Sequence, residues 1–201
     1  MIRVLLAEDM HMIRAALVAL LERQPDIEVV AEVHSGDRIV PAALEHRPDV
    51  ALIDIELPGM DGLTAAAELR ERLPECQTLI VTAFGRPGNL RRALAARATG
   101  FISKDAPPAA LGEAIRKVSR GERVIDPQLA VAALDLPGNP LTPRETDVLR
   151  LAAAGTSASQ IAGQLFLSTG TVRNYLSAIV SKLNARNQID AVRIATESGW
   201  L

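Results

Sequence analysis

Cysteine is nearly absent from this 201-residue chain, and the single Cys76 has no partner for an internal disulfide. That excludes a disulfide-stapled scaffold and suits a reducing compartment. Aromatic residues are scarce too, with one Trp, one Tyr and three Phe making 2% of the chain. A core must therefore be mostly Leu, Ile, Val and Ala, and a 48% hydrophobic content supplies them. No apolar run approaches the ~20 residues that span a bilayer. The N-terminus enters a strand pattern at once and lacks the charged, apolar and small-residue segments of a signal peptide. His11, His34 and His46 show no metal-ligand spacing. The expectation is a cytoplasmic chain of two small domains or one large one, with no direct insertion into a membrane.

What is present is a series of short apolar runs with reactive residues at their ends. Ile2 to Ala7 leads into Glu8-Asp9, and Val50 to Ile53 ends in Asp54. Thr78 to Val81 ends in Thr82, and Phe101-Ile102-Ser103 ends in Lys104. A further β-branched run covers Ile27 to Val33, and stretches of helical periodicity lie between the runs, as in Leu63, Ala66, Ala67 and Leu69. Strands alternating with helices of this length predict an α/β domain whose five-stranded parallel sheet is doubly wound, with both faces covered. In such sheets ligands bind outside the carboxyl ends of the strands.

Three carboxylates, a hydroxyl and an ammonium on that edge make a site for a divalent cation and a phosphoryl group. Clustered carboxylates repel and need a cation, and hard oxygen ligands favour Mg²⁺. A carboxylate can accept a phosphoryl group as an aspartyl phosphate. Asp54 is the expected nucleophile, Asp9 a direct metal ligand and Glu8 a second, water-mediated one. Lys104 pairs with phosphoryl oxygens as a point charge, and Thr82 hydrogen-bonds another. Any one of these residues has an ordinary reading as a cap, a solvated acid pair or a surface lysine. The weight lies in four strand ends of one series all carrying suitable groups.

On these residues, positions 1 to about 120 resemble a response-regulator receiver domain. Glu8-Asp9, Asp54, Thr82 and Lys104 match its acid pair, phosphoacceptor, switch residue and lysine, and Pro58-Gly59-Met60-Asp61-Gly62 matches the following loop. Phe101 matches the aromatic switch position. The resemblance also implies that the backbone carbonyl of Glu56 binds the metal.

From Glu122 to Pro140 the texture changes, with Pro127, Pro137, Gly138 and Pro140 breaking regular structure. The predicted organisation is a receiver at 1–121, a linker at 122–140 with a short helix around Gln128 to Leu134, and a four-helix all-α domain at 141–201. Thr142-Pro143-Arg144-Glu145 reads as a capping box with Pro in the first turn. Two later helices, joined at Phe166-Leu167-Ser168, fit either a helix-turn-helix or a plain helical bundle. Charge tilts slightly toward nucleic acid: from Leu141 onward the balance is +2, against −4 in the remainder.

Leu141-Thr142-Pro143-Arg144-Glu145, Ile161-Ala162, Leu167-Ser168, Thr171-Val172-Arg173 and Leu183 resemble the LuxR-type helix-turn-helix. Receiver plus that domain is the arrangement of NarL/FixJ response regulators. Ala83-Phe84-Gly85-Arg86-Pro87-Gly88, Thr171-Val172-Arg173-Asn174-Tyr175 and Gly199-Trp200-Leu201 are similar to the DesR-type branch. The resemblance implies that the third helix of this domain enters the major groove. Arg173, Asn174 and Ser177 would then face base edges, where Arg suits guanine and Asn suits adenine. Thr169, Thr171, Tyr175 and Lys182 would face phosphates, with ordinary helix surface as the alternative for Tyr175 and Ser177. The family's common His and Arg are replaced here by Tyr175 and Gln188, which bears on the operator sequence.

The implied mechanism is a switch, not enzymatic turnover beyond slow autodephosphorylation. A membrane sensor histidine kinase phosphorylates Asp54 with Mg²⁺, Thr82 moves toward the phosphoryl group, and Phe101 follows. The expected output is a homodimer that binds double-stranded operator DNA, with RNA polymerase as a further partner and membrane-lipid or envelope genes as targets. Met12, Leu111, Ile115 and Val118 mark the expected dimer contact, with packing on the sheet as their alternative. Glu56 and Phe84 flank the path of an attacking water, which predicts a phosphoryl group lasting hours. Two other readings stay open: a Mg²⁺-dependent phosphatase, which would want a second Asp where Glu56 stands, and a receiver that is never phosphorylated.

Overall fold

The computed structural model describes residues 1–83, 87–135 and 138–201. They form two compact units, with the main break between Val131 and Ala132. Among the described residues, no helix is long and apolar enough to cross a membrane.

The first unit contains strands β1 (Ile2–Ala7), β2 (Ile27–Val33), β3 (Val50–Asp54), β4 (Gln77–Thr82) and β5 (Gly100–Ser103). Its helices are α1 (His11–Glu22), α2 (Ile39–His46), α3 (Gly62–Arg72), α4 (Pro87–Ala95), which belongs to this unit from Leu90 on, and α5 (Pro108–Ser119), with a 3₁₀ turn at Gly36–Arg38 before α2. All strand pairs are parallel, in the order β2-β1-β3-β4-β5. On one face Val4, Leu6, Leu52, Leu79 and Val81 pack with Leu21 of α1 and Leu111, Ala114, Ile115 and Val118 of α5. α2 meets β1 and β2, and α3 meets β3 and β4, while the alternate strand residues Leu5, Ile53 and Ile80 are fully buried too. Burial on both faces is why β3 reads as an unbroken apolar run. Leu111, Ile115 and Val118 recur every three or four residues, the spacing of one helix face.

After α5 the chain stays attached to the sheet, where Val124 O accepts from Phe101 N at 2.7 Å. Helix α6 (Pro127–Leu134) follows, and Pro137 lies outside the described residues. The second unit holds α7 (Pro143–Ala153), α8 (Ala158–Leu165), α9 (Thr169–Lys182) and α10 (Gln188–Glu197). Thr142 with Glu145 and Ser157 with Gln160 form capping boxes, while Ser168 and Asn187 cap α9 and α10. Leu141, Val148, Leu149, Ile161, Val172, Ile179, Leu183, Ala191 and Ala195 make its core.

Candidate phosphoacceptor site and nucleic-acid interface

Four strand ends deliver the first site. Glu8 and Asp9 follow β1, Asp54 ends β3, Thr82 ends β4 and Lys104 follows β5. The parallel register aligns these ends, pairing Ala7 with Ile53 and Thr82 with Ser103. The Lys104 N–H donates to the Thr82 carbonyl at 2.8 Å. Gly62 lets the next helix start close against this edge, since a Cβ there would stand 1.8 Å from the Asp54 carbonyl oxygen. Gly59 turns the intervening loop with φ +79°, and Asp61 caps α3 by accepting from the N–H groups of Leu63 and Thr64.

Glu8 and Asp54 are 1% and 7% exposed, whereas Asp9 is exposed. One oxygen from each of the three lies within 4.8 Å of the others. Buried carboxylates this close need compensation, and Lys104 provides it. Its Nζ donates to Asp54 Oδ2 at 2.8 Å and forms a second close ion pair with Glu8 Oε2 at 2.7 Å. Burial opposes the charged form of Lys104, but the hydrogen bond to Asp54 and the Glu8 carboxylate outweigh it and raise the ammonium pKa. Backbone amides serve the remaining oxygens: Ile55 N donates to Asp54 Oδ1 at 2.8 Å, and Met10 N to Glu8 Oε1 at 3.2 Å. The donor set is hard, anionic and within one ion's reach, so it fits Mg²⁺.

In the second unit, α9 turns Val172 and Ile179 into the core and leaves Arg173, Asn174 and Ser177 exposed. Its first turn is anchored by Ser168, whose Oγ accepts from Thr171 N at 3.0 Å and shares a hydrogen bond with Thr171 Oγ1 at 2.8 Å.

Comparison with known proteins agrees with both halves. Residues 4–116 match the family described as "Response regulator receiver domain", and residues 139–195 match "Bacterial regulatory proteins, luxR family". The chain belongs to the response regulators. Over 201 residues this regulator is 43% identical to the uncharacterized transcriptional regulatory protein YvfU of Bacillus subtilis (strain 168), covering 100% of both chains. It is 42% identical over 200 residues to the transcriptional regulatory protein DesR of the same organism, covering 100% of this chain and 99% of the relative. Among solved structures, the response regulator ChrA of a heme-sensing two-component system is 33% identical with a TM-score of 0.59, covering 100% of this chain and 98% of that one. The regulator is thus a transcription factor of the LuxR-type class, with the acid pair, Asp54 and Lys104 brought together at one sheet edge.

The other expected residues sit at varied depths. Leu111, Ile115 and Val118 are 7%, 0% and 0% exposed and pack on the sheet, whereas Met12 is 84% exposed. Phe101 is 3% exposed. Lys182, expected at phosphate, donates to Glu145 Oε2 at 2.8 Å and ties the end of α9 to the start of α7. Tyr175 packs partly against the core. Thr82 is buried, Glu56 is exposed and Thr169 is half-buried. Phe84, with Gly85 and Arg86 of its segment, lies outside the described residues.

Two residues were missed. Arg14 of α1 donates from Nη1 to the Glu8 carbonyl at 2.7 Å and the Asp9 carbonyl at 3.4 Å, and its Nε lies 3.5 Å from Glu32 Oε2. It thereby braces the acid-pair loop against β2. Arg92 of α4 donates to Asp61 Oδ1 at 3.2 Å, linking α4 to the cap of α3. The sequence carries no periodic signal for either.

Proposed function

We propose that this transcription factor is switched by phosphorylation of Asp54, taken from a phosphohistidine of a sensor kinase, and that the switch promotes dimerisation and operator binding. The observation that carries it is the Lys104 ammonium between two buried carboxylates, Glu8 and Asp54, at the sheet edge. The organisation proposed is a receiver at 1–121, a linker at 122–140 and a DNA-binding domain at 141–201.

An Asp54 carboxylate oxygen attacks phosphorus. A P–O bond forms as the P–N bond of the phosphohistidine breaks, and the imidazole leaves with the electron pair. Asp9 and Asp54 would hold Mg²⁺, with Glu8 acting through water and the Glu56 carbonyl as a further ligand. When bound, the ion would neutralise phosphoryl oxygens, which such a loose transition state chiefly needs. The phosphoryl group adds about −1.5 to −2 charge, so Lys104 turns from carboxylate oxygen to phosphoryl oxygen. Thr82 donates its hydroxyl to another, and Phe101 follows into the space vacated.

Dimerisation is the output, and α1 is the contact. Met12 borders an apolar groove of about 380 Å³ lined by Ile13, Ala16, Leu17, Leu20 and Leu111. Ser103 and Lys104 line the same groove, so it adjoins the phosphoacceptor. Two joined copies then bind two half-sites by effective concentration, with Arg173, Asn174 and Ser177 toward base edges and Thr169 and Thr171 toward phosphate.

Sedimentation with and without Mg²⁺ and beryllofluoride, an aspartyl-phosphate mimic, tests the switch. Wild type is expected to move to dimer and Asp54→Ala to remain monomeric. The same state in both proteins under all conditions overturns Asp54-driven dimerisation.

A further inference from the structure

We infer that Phe166, in the turn between α8 and α9, is a DNA contact that packs its ring on the sugar-phosphate backbone beside the groove entered by α9. The inference rests on the DNA-binding reading above and adds to it a residue outside the recognition helix.

Two independent observations set Phe166 apart. It is 95% exposed, although large apolar side chains gain by leaving water. Its backbone is left-handed, φ 55° and ψ 45°, a conformation that side chains with a Cβ disfavour and glycine adopts freely. The turn itself requires that conformation. Phe166 N donates to the carbonyls of Ala162 and Gly163, Leu167 N donates to the Ala162 carbonyl at 2.9 Å, and Arg144 donates to the Leu165 carbonyl. Glycine or asparagine would close the same turn at lower cost. Within its own unit the ring therefore contributes neither packing nor backbone preference, and its partner is external.

The position names that partner. Phe166 stands two residues before Ser168, the cap of α9. Helix N-termini favour anions through their free N–H groups and dipole. The turn into a recognition helix lies at the groove edge, where the backbone passes. An aromatic face there covers deoxyribose, an apolar contact that reads no base.

The test uses the full-length protein with beryllofluoride and a duplex recovered by selection from a random-sequence pool. Phe166→Gly is expected to keep or raise Tm, since it relieves the left-handed strain, while weakening DNA binding roughly tenfold, as withdrawal of most of a ring from water implies. Phe166→Asn should behave alike and Phe166→Tyr should bind as wild type. The contact is apolar and sequence-blind, so the loss should be equal on selected and unrelated duplexes, with the salt dependence of binding unchanged. Wild-type affinity in a folded Phe166→Gly protein overturns the proposal. A loss that vanishes on a single half-site overturns it as well, because the ring then meets a second copy. Arg173→Ala is the control for the underlying reading: if it leaves selected-site binding intact, or selection recovers no sequence, α9 does not read DNA and the proposal falls with it.

Discussion

Replacing Lys104 with Met leaves Glu8 and Asp54 buried with no cation between them, and the cost can be worked from the geometry. At 2.8 Å and an effective dielectric of about 20, each contact contributes roughly 6 kcal/mol of raw attraction. Desolvation of the ammonium offsets much of this, and breaking a buried pair by removing one partner costs about 3–5 kcal/mol. The Lys104 side chain is 13% exposed, so the low end applies, about 3 kcal/mol at pH 7 without divalent ions. For a domain of this size that lowers Tm by roughly 10 °C. The signature lies in the rescue. Mg²⁺ should shrink the deficit by binding the folded state, and should bind Lys104→Met more tightly than wild type. Thermal unfolding across Mg²⁺ concentration reads both. A variant as stable as wild type at pH 7, or a loss that Mg²⁺ does not reverse, refutes the electrostatic account.

Gly62→Ala should cost about 1–3 kcal/mol by overpacking, because its Cβ meets the Asp54 carbonyl, and should slow Asp54 phosphorylation by acetyl phosphate; wild-type stability would show that α3 moves aside freely. Glu145→Gln keeps the capping geometry, as Gln160 does for Ser157, and should weaken the second unit by up to about 1 kcal/mol through loss of the ion pair with the partly exposed Lys182. Burial tends to raise the Glu145 pKa, but the Lys182 and Thr142 bonds prevail and lower it. The difference from wild type is thus full above its unfolded value near 4.5 and fades as pH falls through the folded value. A gap that persists unchanged in acid would assign the effect to packing.

The strand ends were legible because a buried parallel strand is an apolar run and its last residue is marked by a change to polar. The cap at Thr142 was legible because its chemistry is local. What escaped the sequence depends on reach across the fold. Arg14 finds two carbonyls of the preceding loop, and Lys182 finds Glu145 across 37 positions; neither pairing has a spacing rule. Leu111, Ile115 and Val118 teach a different lesson. Their spacing marks a buried face, and it fits the sheet beneath at least as well as a second copy. Met12, off that stripe, was the residue left outside.

The rung from Lys104 N to Thr82 O joins two chains of events usually drawn apart. In the proposed switch, the residue whose cation would sense charge on Asp54 and the residue whose hydroxyl would answer it share one peptide hydrogen bond. A displacement at the tip of β4 would then drag the root of the lysine, and the lysine's reorientation would tug β4 in return. Detection and response would be geared together, so a mutation that silences one should blunt the other.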